Sequence, residues 1–166
     1  MEGEMKCVRC GSTDVTAKRE NFQYTASGLS NVVLEDVEVR YCTDCGDRAA
    51  AIPRIEELHR QIGLHLCTQG SRLAPEEIRF LRKMMDWTGA EFARRFGVAP
   101  ETVSRWETGS QEMGSMAETL LRVWVVLGED AKEIAIEVLE KIGEKEPARA
   151  RPIRAALKKN WKLAAA

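Results

Sequence analysis

Two short cysteine knuckles constrain this chain more than any other feature. Cys7-Val-Arg-Cys10-Gly11 and Cys42-Thr-Asp-Cys45-Gly46 repeat one pattern, with 31 residues between Cys10 and Cys42. Two thiolates spaced by two residues can grip one metal ion, because the tight turn aims both sulfurs inward. The glycine after each second cysteine permits the positive φ that lets backbone amides point at the sulfurs. Two such pairs complete a tetrahedral four-sulfur site, which is closed and so structural rather than catalytic. Cys7, Cys10, Cys42 and Cys45 are therefore expected to hold one structural Zn2+ per chain.

Two other readings of the same cysteines are weaker. Paired disulfides are disfavoured in a reducing cytosol. Iron, as in rubredoxin-like electron carriers, would lead one to expect aromatic packing, yet only Phe22 and Tyr24 precede Tyr41 between the knuckles, and no tryptophan does. Val15–Lys18 and Phe22–Tyr24 read as short strands, Ser27–Asn31 as a turn, and Val37–Tyr41 as an alternating strand running into the second knuckle. The expectation is a three-stranded ribbon of about 50 residues, too small to bury much apolar surface, so the metal should supply much of its folding free energy. The fifth cysteine, Cys67, is expected to be a buried structural thiol. His59 and His65 are six residues apart, which does not place them on one helical face, so both are expected to face solvent or cap a helix.

Length suits one ordinary domain or two small ones, and the apolar fraction is ample for packed cores. The chain has 166 residues, 44% of them hydrophobic and 31% charged. No run of 18 apolar residues is present and the N-terminal segment lacks an apolar signal core, so a cytoplasmic protein is expected. The formal net charge of -1 hides an asymmetry: residues 1–70 carry -3, 71–128 carry 0, 129–147 carry -4 and 148–166 carry +6. A polyanion would have to meet a local patch or the C-terminal tail rather than one uniformly basic surface.

The middle of the chain reads as short amphipathic helices. Residues 53–66 form a connecting helix, with apolar residues at 55, 58, 62 and 66. Residues 75–86 follow, with Ile78, Leu81 and Met85 on one face. Thr88 reads as the N-cap of a helix over 89–96 that Gly97 closes, and Pro100 opens the next, which Thr108-Gly109 ends. A further helix spans 115–127 around Leu120, Leu121 and Trp124. Two helices joined by Gly97-Val98-Ala99 make a helix-turn-helix. Phe92, Ala93 and Phe96 form the inner face of the first, and Val103 and Trp106 that of the second. Glu101, Thr102 and Arg105 then share the outward face that a recognition helix presents to the major groove. Arg105 alone among them can grip a guanine through two hydrogen bonds. Ser104 on the same helix, with Thr88, Arg94 and Arg95 on the preceding one, completes the expected DNA-binding set.

Thr88 to Gly109, and within it Thr102-Val-Ser-Arg-Trp-Glu-Thr-Gly109, resembles the Xre/Cro, lambda-repressor-like DNA-binding domain. A paired-knuckle ribbon followed by that domain is similar to the MqsA-like (YgiT-type zinc-finger) antitoxins over residues 5 to about 128. The resemblance implies an α+β protein: a small N-terminal four-cysteine zinc ribbon that can bind a toxin, then an all-α helix-turn-helix domain that dimerises and represses its own operon. Carried over residue by residue, it assigns zinc to Cys7, Cys10, Cys42 and Cys45, and base reading to Arg105. Glu101 stands where the family's best-known member has a base-contacting asparagine, which implies a different operator sequence, and Gly89 stands where a glutamine is usual, which implies that a phosphate contact is lost there. The organisation is then ribbon 1–50, connecting helix and linker 51–70, helix-turn-helix domain 71–128, amphipathic helix 129–146 and basic tail 147–166.

Ala131, Ile134, Ala135, Val138, Leu139 and Ile142 make the 129–146 helix one-sided, so it either caps the helix-turn-helix core or forms a dimer seam. The basic tail is either solvated or an arm that contacts DNA phosphates. No Ser/Cys–His pair, phosphate-cradling loop or open metal site is evident, so no enzymatic activity is expected. The reading is a DNA-binding transcriptional repressor, dimeric on a palindromic operator, and the antitoxin of a type II toxin–antitoxin system. The alternatives are a stand-alone regulator of the same architecture without a toxin partner, and, more remotely, an electron carrier fused to a DNA-binding domain.

Overall fold

The computed structural model describes residues 6–128, 153–157 and 161–163. The expected helix over 129–146 lies outside the described residues. In chain order come β1 (Val15–Gln23), β2 (Val32–Cys42), β3 (Arg48–Ala50), α1 (Ile55–Thr68), α2 (Pro75–Met84), α3 (Gly89–Phe96), α4 (Pro100–Thr108), α5 (Ser115–Leu127), β4 (Ile153–Leu157) and β5 (Trp161–Leu163). The fold is α+β, as expected from the sequence.

β2 organises the sheet. It pairs antiparallel with β1 and, at Val39–Tyr41, with β3. The two strands expected at Val15–Lys18 and Phe22–Tyr24 are one continuous β1, because its register with β2 shifts between Glu20 and Phe22 rather than breaking. Arg19 bridges that irregularity to both carboxylate oxygens of Asp36, at 3.0 Å each, where Asp36 takes φ 50°. β2 also begins five residues earlier than its alternating stretch suggested. Val32, Leu34, Val37 and Val39 are all buried along it.

The helices follow their local signals closely. Pro75 opens α2, and Glu77 reaches back to the Ala74 amide at 2.8 Å. The Thr88 hydroxyl accepts from the Glu91 amide at 3.1 Å, and the Glu91 carboxylate accepts from the Thr88 amide at 2.8 Å, a reciprocal cap on α3. Gly97 closes α3 at φ 65°, a left-handed conformation that side chains resist. In α5, Leu121 is fully buried whereas Leu120 is exposed, so the inward stripe runs through Leu121, Arg122 and Val125.

Two expectations need correction. The tail over 147–166 is not simply a basic extension. Its residues 153–157 form β4, parallel to β2 with Val32 opposite Ile153 and Glu35 opposite Ala156, and 161–163 form β5 against β4. The charge count masked a short segment that fits a sheet edge, where Ala155 is fully buried. His59 is not solvent-facing: it is half-buried, its Nε2 lies 3.0 Å from the Tyr24 hydroxyl, and its ring stacks on Tyr24 while meeting Phe80 edge-on. His65 is half-buried as well, and burial lowers the pKa of both imidazoles. Ribbon and helices share apolar packing. Val32, Leu34 and Val39 belong to one apolar cluster with Leu58, Ile62, Leu81, Phe92 and Leu121.

Two buried ionic groups hold the helices in register. Arg122, 3% exposed, donates to the carbonyls of Leu66, Cys67, Gln69 and Ser71 at 2.7–3.0 Å, and to Glu118 at 2.8 Å. It thereby satisfies the carbonyls left over at the C-terminus of α1. Glu118 in turn accepts from Arg72 at 2.6 Å and from the Leu73 amide at 3.1 Å. Cys67 is the buried thiol expected of it, its pKa pushed up to about 12 by burial.

On the open face of the ribbon, Glu20 accepts from the Tyr41 hydroxyl and pairs with Arg48 and, at 2.9 Å, with Lys18. Tyr41 first, then Lys18 and Arg48, hold its carboxyl down at about 2, against an ordinary 4.5. A carboxyl depressed in the folded state stabilises it above the unfolded value and loses that contribution as the pH falls through the folded one. Glu20→Gln is therefore expected to flatten the acid limb of ribbon unfolding between pH 4.5 and 2. Far-UV circular dichroism across that range checks it, and a limb as steep as the wild type's would count against the assignment.

Candidate metal centre and nucleic-acid interface

The two knuckles fold into the same shape. In each, the glycine amide donates to the first cysteine's carbonyl, Gly11 to Cys7 at 2.8 Å and Gly46 to Cys42 at 3.0 Å. In each, the first cysteine's amide donates five residues ahead, Cys7 to Ser12 and Cys42 to Asp47. Gly11 and Gly46 take φ 76° and 69°, as the sequence required. The Thr43 amide bonds the Asp14 carbonyl at 3.1 Å, and the β1–β2 pairing of Val15 with Cys42 brings the knuckles face to face.

The result is a four-sulfur cluster. All four Sγ atoms lie within 4.8 Å of one another, with Cys7 to Cys45 and Cys10 to Cys42 each at 3.6 Å. A tetrahedral site with Zn–S bonds of about 2.3 Å has sulfur–sulfur edges of about 3.8 Å, so the donor set fits such an ion. The backbone amides of Cys10 and Arg9 favour the Cys7 thiolate and bring its pKa down to about 7 despite burial. At Cys45 the Asp47 amide also favours the thiolate, but burial and the three neighbouring sulfurs outweigh it and push the pKa up to about 12. Four sulfurs this close all carry charge only with a cation among them. Cys7 and Cys42 are buried, Cys45 half-buried and Cys10 exposed, so the cluster lies at one end of the sheet.

The second candidate surface is α4. Val103 and Trp106 are buried beneath it and Phe92 packs on Trp106, with ring centroids 6.1 Å apart. The Trp106 indole N–H is buried without a hydrogen-bond partner among the described residues. Glu101, Ser104 and Arg105 are exposed and Thr102 is half-buried, which places all four on or beside the outer face of α4. Among the described residues Arg105 forms no ion pair; in particular it does not pair with Glu101 one turn back. Arg94 and Arg95 are exposed on α3, and Arg95 is held over the rings of Trp87 and Trp124 at 4.7 and 5.3 Å. The Thr88 hydroxyl is engaged in the α3 cap.

The sequence reading missed what steadies α4. Glu107 accepts from Arg82 at 2.5 and 3.1 Å, and its backbone carbonyl accepts from Arg79 at 2.9 Å. Arg82 also donates to the Trp87 carbonyl at 2.7 Å, so one guanidinium ties α2, the α2–α3 turn and the C-terminal end of α4 together. The available signal was two arginines three residues apart on α2 and an acidic residue directly after the buried Trp106.

Residues 5–134 match the family described as the antitoxin component of bacterial toxin–antitoxin systems, MqsA. The chain belongs to the MqsA antitoxin family. It is also 26% identical over 120 residues to Antitoxin MqsA of Escherichia coli (strain K12), an alignment that covers 72% of this chain and 91% of that protein. No solved structure matches the chain. The matched stretch contains both knuckles and the helix-turn-helix, and it ends before β4 and β5. Among the described residues no helix is long and apolar enough to cross a membrane.

Proposed function

We propose that this antitoxin is also a sequence-specific transcriptional repressor that controls its own operon. The observation that carries the reading is α4: buried Val103 and Trp106 fix its inner face, and Arg105 stands exposed and unpaired among the described residues on the other. Its fork matches O6 and N7 of guanine, while Glu101, Thr102 and Ser104 flank it and Thr88, Arg94 and Arg95 line the approach to the backbone phosphates. The mechanism is occupancy, since a bound repressor excludes polymerase without chemistry. Arg82 and Glu107 act as positioning residues, because they set where α4 can reach.

The metal is zinc. The closed tetrahedral thiolate set suits it, and zinc at such a site supplies folding free energy rather than reactivity. Reduced thiols of this kind belong in the cytoplasm. Met116, Leu120 and Leu127 form an exposed apolar stripe on α5, at 81%, 37% and 67% exposure, which suits the seam of a homodimer on a palindromic operator. The ribbon takes the toxin.

Arg105→Ala tests the DNA reading. It is expected to cost about 1–3 kcal/mol of specific binding and to relax discrimination at one base per half-site. Fluorescence titrations with the segment upstream of its own operon, against a scrambled duplex, measure both. Wild-type affinity for both duplexes would overturn the recognition-helix assignment.

A further inference from the structure

The outer edge of β2 is divided between two neighbours. Val39–Tyr41 is taken by β3, from the adjacent loop, and Val32–Glu35 by β4, from the far end of the chain. An unpaired strand edge is a template for another strand, and here the cover over Val32–Glu35 is β4, which lies more than a hundred residues further along the chain. Ala155, in the sheet between β2 and β5, is fully buried, and Leu163 of β5 packs against the shared core. Arg154 pairs with Glu35 at 3.0 Å, at the contact between a segment of net charge +6 and an N-terminal region of net charge -3. The stretch matched to the antitoxin family ends at residue 134, so it includes this edge and excludes its cover.

We infer that the Val32–Glu35 edge is a strand-docking site for an extended basic segment of a protein partner, and that β4, backed by β5, holds it closed until that segment displaces it. The seated strand defines what fits: a parallel strand with a small residue opposite Leu34 and, opposite Val33, a cation whose side chain reaches Glu35. A tethered strand competes at an effective concentration in the millimolar range, so a partner at micromolar levels must bind about a thousandfold better than the free segment does. The inference goes beyond the repressor and antitoxin readings. Operator binding through Arg105 stands or falls separately.

The probe is a fluorescein-labelled peptide of residues 151–163, titrated into the full-length, metal-loaded protein. Ala155→Asp places a charge at a fully buried position and is expected to release β4, so this variant should bind the peptide at least about tenfold more tightly than wild type. Arg154→Glu, a surface change that leaves the core intact, should shift binding in the same direction by less. Val33 and Arg154 face each other in the register, so Val33→Cys with Arg154→Cys should close into an intramolecular disulfide. The oxidised form should refuse the peptide and the reduced form accept it. The inference is overturned if neither Ala155→Asp nor Arg154→Glu binds more tightly than wild type. It is also overturned if the lock joins two chains instead of one, or if oxidation leaves peptide binding unchanged.

Discussion

Cys42→Ser is expected to release the metal and to loosen far more than the two knuckles. One missing thiolate opens a closed site, and structural zinc contributes on the order of 10–16 kcal/mol of apparent free energy in small zinc-binding domains. A ribbon isolated from the helices would then unfold alone. This ribbon is not isolated, because Val32, Leu34 and Val39 share one apolar cluster with Leu58 and Ile62 of α1. Loss of the metal should therefore deprotect α1 and β4 along with β1–β3, while α2 to α5 keep their own contacts through Phe92, Trp106 and Leu121. Hydrogen exchange measured by mass spectrometry, together with metal content, checks this. Deprotection confined to residues 6–50 would show that the shared cluster does not couple the two parts, and unchanged metal content would remove Cys42 from the ligand set.

Arg122→Met should destabilise the helical half by about 3–5 kcal/mol, the usual cost of removing one partner from a buried ion pair. Both members are well buried, with side-chain exposures of 4% for Arg122 and 8% for Glu118. The substitution leaves the Glu118 charge with Arg72 alone and orphans the carbonyls of Leu66, Cys67, Gln69 and Ser71. Methionine keeps the length and apolar stem, so lost packing adds little. Urea unfolding should show a lower midpoint at unchanged slope. Adding Glu118→Gln should recover part of the loss, because the buried carboxylate left with one of its two guanidinium partners is then neutral. A shift of under about 1 kcal/mol would mean that Arg122 is a replaceable strut, as exposed ion pairs usually are.

Much of the candidate site was legible in advance because it depends on local rules. Chelating spacing marked the four cysteines whose sulfurs the fold gathers, and the glycines after Cys10 and Cys45 carry the φ those turns require. Thr88, Gly97, Pro100 and Gly109 delimit α3 and α4 within a residue of the expected boundaries, since caps and breakers act over a single turn. The inward placement of Val103 and Trp106 followed from helical periodicity, and with it the outward placement of Arg105.

Other features depend on partners distant in sequence. Arg122 and Glu118 lie in α5 with no local mark of burial. Arg122 is buried because the carbonyls at and just after the end of α1, 51 to 56 residues away, require donors, and Glu118 because it accepts from Arg122, Arg72 and the Leu73 amide. His59 read as a surface residue until the Tyr24 hydroxyl came within 3.0 Å of it. The basic C-terminal segment showed as charge alone, because its strand character exists only against Val32–Glu35 of β2, 119 residues away at the Arg154–Glu35 pair. Spacing and caps are properties of a short stretch and can be read from it. Burial, ion pairing and sheet edges are properties of two stretches at once, and only the folded chain brings the second to the first.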